Sequence, residues 1–156
     1  MTLDELRDKI PASRNAQSRI VTKSDLLARV YTMPANFGRV FRAGVRSNPR
    51  NPLATQLYII SRDADRKLVV SPDALKKNLR IFLNEFRMIS DAIDILDAKI
   101  INITLEFQIT ADVSANKSTV VQSVIADLKD YFNVKNFQID QPIIISDVQN
   151  IIINNA

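Results

Sequence analysis

Apolar residues recur along this chain in two rhythms, every third or fourth position and every second position, and the changes of rhythm mark out its elements. Leu3 to Ile10 reads as a short amphipathic helix ended by Pro11. After a polar stretch, Thr22 stands three residues before Asp25, the Ser/Thr-x-x-acid spacing of a capping box. Leu26, Leu27, Val30 and Tyr31 then share one helical face, and Pro34 stops the helix. Arg39 to Ser47 alternates, with Phe41, Ala43 and Val45 on one side and Arg42 and Arg46 on the other. Gln56 to Arg62 is rich in strand formers, and Asn48-Pro49-Arg50-Asn51-Pro52 between the two runs is loop chemistry. An antiparallel pair is expected.

Ser71-Pro72-Asp73 offers an N-cap, a proline at the first helical position and an acid in the first turn. Leu75, Leu79, Phe82, Leu83, Phe86 and Ile89 follow at helical spacing. Lys99 to Thr110 gives the strictest alternation, with Ile101, Ile103, Leu105, Phe107 and Ile109 on one face. It predicts a strand of roughly 35–40 Å. A further helix is expected from about Ser114 to Phe132 on Val120, Val121, Val124, Ile125, Leu128 and Phe132. A short strand at Asn136 to Asp140 and a last helix from Ser146-Asp147 through Val148, Ile151 and Ile152 complete the order. The class is α+β: antiparallel strands with helices on one face, close to a ferredoxin-like sandwich, with room for two small lobes. The division expected is a helical segment over 1–35 and an α+β domain over 36–156.

Composition narrows the chemistry. The 156 residues include no cysteine and no histidine. That removes a zinc site, a thiol nucleophile, a Ser-His-Asp relay and an imidazole base. Only Gly38 and Gly44 occur, too few for a Walker or dinucleotide loop. No apolar run approaches the ~20 residues of a membrane-spanning helix, and the N-terminus has no signal-peptide core. The expectation is a protein soluble and intracellular at synthesis, not an enzyme, and without cofactor, metal or small-molecule substrate.

Charge adds a direction. Residues 1–80 carry 16 Lys/Arg against 7 Asp/Glu, whereas residues 81–156 carry 5 against 10. Such a dipolar chain suits complementary protein faces in an assembly. Arg39, Arg42, Arg46 and Arg50 form a basic strip, a candidate for an acidic partner surface or for phosphate. An RNA-reading sheet would want exposed aromatics among the charges, so protein contact ranks above nucleic acid. Asp91, Asp94 and Asp97 suit a solvated helix–strand junction better than a cation site, and Asp63 and Asp65 suit a turn. The apolar runs Ile143 to Ile145 and Ile151 to Ile153 need cover, which nominates Ile151 and Ile152 as interface residues. The apolar pair, capping residue and acid of Ile20 to Leu27 recur at Ile144 to Val148, where the chain ends on a still-apolar helix. A natural protein continuing past Ala156 is the expectation.

One stretch carries a resemblance. Arg14-Asn15-Ala16-Gln17-Ser18-Arg19-Ile20-Val21-Thr22-Lys23-Ser24-Asp25, preceded by a helix with Arg7 and followed by a helix and an apolar-basic strand, resembles the C-terminal part of the baseplate J-like family. These are wedge proteins of contractile phage tails and related injection machines. The order that follows is similar too: a strand ending in Ser61-Arg62-Asp63, a helix after Pro72, a long alternating strand, a helix and a terminal Ser-Asp helix. Leu26 stands where the family commonly has an aromatic. The resemblance implies a structural role in a tail baseplate of the virion, assembled in the host cytoplasm. Its partners would be other wedge proteins and copies of itself. It implies no catalytic residue, and Arg14 and Arg19 would brace the local fold. The alternative from composition is a ferredoxin-like module binding nucleic acid through the basic half.

Overall fold

A computed structural model describes residues 3–15, 18–110 and 116–155. The chain forms two compact units, Met1–Ile100 and Ile101–Ala156.

In the first unit, helix α1 (Leu3–Asn15) continues past Pro11, which had been expected to end it. Proline there removes the N–H donor to the Arg7 carbonyl and its ring crowds that carbonyl, a local cost that packing along a neighbour offsets. That neighbour is α2 (Lys23–Thr32). Its capping box is present in full. The Thr22 hydroxyl accepts from the Asp25 amide at 3.1 Å, and the Asp25 carboxylate accepts from the Thr22 amide at 2.8 Å and the Val21 amide at 3.3 Å.

Strands β1 (Arg42–Ser47) and β2 (Ala54–Arg62) pair antiparallel, with Arg42 opposite Ile60 and Ser47 opposite Thr55. The loop between them is held by its own asparagines: Asn48 Oδ1 accepts from the Arg50 amide, and Asn51 Oδ1 from the Leu53 amide. The chain turns at Asp63–Lys67 into the two-residue strand β3 (Leu68–Val69), with Arg66 at φ 63°. Asp63 serves that turn, accepting from the Ala64 amide at 2.7 Å.

Helix α3 (Asp73–Asn84) follows. Ser71 does not cap it. Pro72 holds the N-cap position without a side-chain bond, and the Ser71 hydroxyl is buried at 2.8 Å from that of Ser61. A buried hydroxyl needs a partner, and Ser61 supplies it. Nor does the helix reach Ile89, which is fully exposed beyond its end.

The next element differs most from expectation. Strand β4 is Ala92–Asp97, the segment read as a junction, and it pairs parallel to β2 from Ala54–Ala92 to Ile59–Asp97. The α+β class holds, but the four-stranded sheet is mixed, because β2, α3 and β4 make a crossover unit that brings β4 back parallel. Residues 98–110 join no ladder among the described residues.

The core of this unit lies on one face of the sheet. Ala43 and Val45 of β1, Leu57 and Ile59 of β2, and Ile93 and Ile95 of β4 meet Leu26 and Val30 of α2 and Leu75, Leu79 and Leu83 of α3. Both helices therefore cover the same face, as the alternation required. Because α2 shares this core, no boundary falls at residue 35. Two groups tie α2 to its surroundings. The Tyr31 hydroxyl accepts from the Ala43 amide at 2.9 Å, and the Arg29 guanidinium lies 4.6 Å from the centre of the Phe86 ring. Gly38, at φ 109°, links the short 3-10 turn Ala35–Phe37 to β1 under Leu75.

In the second unit, α4 (Lys117–Tyr131) starts on Asn116, whose side chain accepts from the Ser118 amide. Ser114, the expected start, lies outside the described residues. Helix α5 (Ile145–Asn155) packs against it. Val124, Leu128 and Val148 form the centre, and Phe107, Ile109, Tyr131, Phe132, Ile151 and Ile152 surround it. The strand expected at Asn136 to Asp140 is absent. Asn136 instead donates its side-chain amide to the Asp130 carbonyl at 2.9 Å, and Asp140 takes a positive φ of 68°. Phe137 stacks parallel to Phe132 at 6.0 Å.

Candidate interaction surfaces

Alternation gives the sheet of the first unit a second face, turned away from α2 and α3. Arg42, Arg46 and Arg62 fall on it with Gln56, Tyr58 and Ile60, since Arg42 stands opposite Ile60 and Arg46 opposite Gln56. The strip predicted on β1 is divided by burial. Arg39, before the strand, Arg46, within it, and Arg50, in the following loop, are exposed. Arg42 is buried.

The cause is Phe41. Its ring carries the Arg42 guanidinium at 4.7 Å and that of Arg62 at 5.1 Å, while Arg62 Nε donates to the Arg66 carbonyl at 3.0 Å. A guanidinium is weakly hydrated and stacks on aromatic faces, so burial against Phe41 costs it less than it would cost a lysine. Phe41, expected in the helix-side core, belongs to this cluster instead. Its ring is engaged by two cations, and Tyr58 donates its hydroxyl to Gln56 at 3.2 Å. The Phe41 ring, so engaged, is not a free platform for a stacked base.

Near the other edge, Lys76 of α3 is the hub of a small ionic group, 2.7 Å from Asp97 and 3.0 Å from Asp73. Both partners raise its pKa above the usual lysine value, Asp97 most. Asp97 thus serves an ion pair, and among the described residues no group of three or more acidic side chains is placed to hold a metal. Arg14 and Arg19 are exposed and make no hydrogen bond or ion pair to a described residue, so the bracing expected of them is not seen there. The fold around them is held by backbone instead: the Ile20 amide donates to the Phe86 carbonyl at 2.8 Å, within an isolated parallel bridge to Arg87.

In the second unit, Ile151 and Ile152 are half-buried, because they follow Val148 by three and four positions and share its inward face. The apolar surface lies beside them, on Ile143, Ile144, Ile145 and Ile153. An open cavity of about 410 Å³ between α4 and α5 is lined by Asp127, Asp130, Tyr131, Asn136, Ile151 and Asn154. Its carboxylates and amides suit hydrogen bonding to a basic or amide side chain, and they include no nucleophile paired with a base.

The segment 99–110 exposes apolar side chains outside any helix. Ile101 is 73%, Ile103 53% and Leu105 42% exposed, whereas Phe107 and Ile109 rest on the α4/α5 centre. Sequence reasoning found these residues through their alternation and read them as one buried face of a strand. It missed β4, whose Ile93 and Ile95 continue the same odd-numbered phase. Among the described residues no helix is long and apolar enough to cross a membrane. No protein-family model matches the chain, and no curated protein matches it.

Proposed function

We propose that this chain is a structural piece of a contractile-tail baseplate wedge and works through protein–protein contacts. The observation that carries the reading is the exposure of two apolar runs, Ile101, Ile103 and Leu105, and Ile143 to Ile145. Exposed apolar stretches of that extent mark sites of protein contact. The Arg14-to-Asp25 pattern supports the wedge assignment, and the opposed charges of the two halves support assembly. The rival reading, a nucleic-acid module, is weakened by the engagement of Phe41 with two arginines.

Two measurements test this. Light scattering coupled to size-exclusion chromatography, at low and high salt, is expected to give species larger than a monomer with little absorbance at 260 nm. Nucleic acid that copurifies and is lost steeply with salt favours the rival. Electron microscopy of contractile tails decorated with an antibody to this chain is expected to place label at the baseplate end. Label on the sheath or on the head refutes the wedge assignment.

A further inference from the structure

We propose that residues 100–110 form an antiparallel ladder with the same residues of a second copy, centred on Leu105. The inference deepens the assembly reading and rests on it in one respect: that the chain acts through protein contact.

The segment has what a strand needs except a partner. From Ile101 to Thr110 its odd positions are apolar and its even positions, Asn102, Thr104, Glu106, Gln108 and Thr110, are polar. It contains neither Gly nor Pro, and none of its residues has a positive φ. Among the described residues, no backbone hydrogen bond joins it to another element. A row of unpaired amides and carbonyls beside an apolar face is a template for strand addition.

A second copy fits this template better than an arbitrary strand does. Antiparallel pairing about Leu105 places Ile101 opposite Ile109, Ile103 opposite Phe107, and Leu105 opposite itself. Every odd-numbered residue from Ile101 to Ile109 then meets an apolar residue on one face. On the other face Asn102 meets Gln108, and Glu106 meets Thr104. Parallel in-register pairing would set Glu106 against Glu106, and like charges directly opposite destabilise a ladder.

Burial favours the same arrangement. Exposure declines along the segment, from Ile101 at the open end to Phe107 and Ile109 against α4 and α5. A two-fold axis at Leu105 lays the open end of each copy beside the covered end of the other. Ile101 and Ile103 thereby join an apolar layer that the partner's helices already roof. The contact is isologous and closes as a dimer through the paired edges.

The chain has no cysteine, so single substitutions report proximity without background. Residues facing each other across an antiparallel ladder have Cα atoms about 4.5–5.5 Å apart, inside the range a disulfide bridges. Leu105→Cys, an exposed site, is expected to oxidise to a covalent dimer at least about tenfold faster than Ile101→Cys or Ile109→Cys alone. An equal mixture of Ile101→Cys and Ile109→Cys is expected to cross-link as a heterodimer. Light scattering on the unsubstituted chain is expected to show a dimer. Cross-linking at every odd position alike would indicate parallel pairing and overturn the proposal. So would absence of cross-linking at Leu105, or a monomer at every concentration up to ~100 μM, above the range of typical specific association. If tails still carry the label at the baseplate while the cross-link fails, self-pairing falls and the wedge assignment stands.

Discussion

Thr22 and Asp25 hold the start of α2 by reciprocal bonds, and a mutant cycle on the pair reads that reciprocity directly. Thr22→Ala removes the acceptor of the Asp25 amide at 3.1 Å. The amide is solvent-accessible, so the expected cost is that of a lost cap, about 1 kcal/mol. Asp25→Ala removes the acceptor for two amides, at 2.8 and 3.3 Å, and a negative charge from the helix N-terminus. Its cost is about 1–2 kcal/mol. Each side chain orders the turn that the other binds, so the double mutant should cost less than the sum by ~0.5–1 kcal/mol.

Acid supplies an internal check. The bond from the Thr22 amide, first among several causes, lowers the pKa of Asp25 below its ordinary 3.8. A depressed carboxylate contributes stability that is present above the unfolded-state pKa and lost as pH falls through the folded-state value. The cost of Asp25→Ala should therefore be full at neutral pH and shrink as pH falls below 3.8 and through the lower folded-state value, whereas that of Thr22→Ala should change less. Urea unfolding followed by far-UV circular dichroism measures all four proteins, and a 1 kcal/mol change corresponds to roughly 4–8 °C in a unit of this size. Strict additivity, or an Asp25→Ala cost that does not decline as pH falls through the acid range, would refute the reciprocal cap.

Three further outcomes are expected. Gly38→Ala should destabilise by about 1–3 kcal/mol in urea, because φ is 109° and a Cβ would come too close to Leu75 Cδ1; Leu75→Ala in the same chain should recover only the steric part. Leu79→Ala, at a fully buried site, should cost ~2–5 kcal/mol, while Ile81→Ala, on the exposed side of the same helix, should stay within about 0.5 kcal/mol; equal costs would contradict the assigned inner face. The raised pKa of Lys76 predicts that its ionic group adds stability below the unfolded-state pKa of 10.5 and loses it as pH climbs through the folded-state value. The melting temperatures of the unsubstituted chain and Lys76→Met should converge at alkaline pH, and divergence there would contradict the assignment.

Local chemistry was the most legible part of this fold. The capping box at Thr22, the inner stripe of Leu75, Leu79 and Leu83, and the β1–β2 pair all follow from neighbours in sequence. Elements that depend on distant partners were misread. Lys99 to Thr110 has the alternation of a strand, but alternation states only that two faces differ; a ladder needs a second backbone, and none of the described residues supplies one. Ala92–Asp97 has such a backbone in β2, yet its carboxylates concealed it, because Asp94 and Asp97 could as well sit in a solvated junction. The arginine strip failed in part for a similar reason. Strand phase placed Arg42 away from the helices correctly, but not its burial, which depends on the neighbouring Phe41 and on Arg62 from the next strand. Of the apolar C-terminal runs, Ile151 and Ile152 were separable from Ile153 only once Val148 fixed which face of α5 turns inward.

Every ladder in the first unit includes β2. Strand β1 occupies one of its edges, β4 and then β3 the other, and β1 and β4 do not meet. This arrangement implies an order of events. The short connection Asn48–Leu53 lets β1 and β2 find each other early, while β4 returns only after β3 and α3 have been laid down, and longer loops close more slowly. Disassembly runs in the opposite sense. Either flank can fray while the other stays zipped, but nothing survives the loss of the centre, so the sheet nucleates from its spine and unravels from its margins.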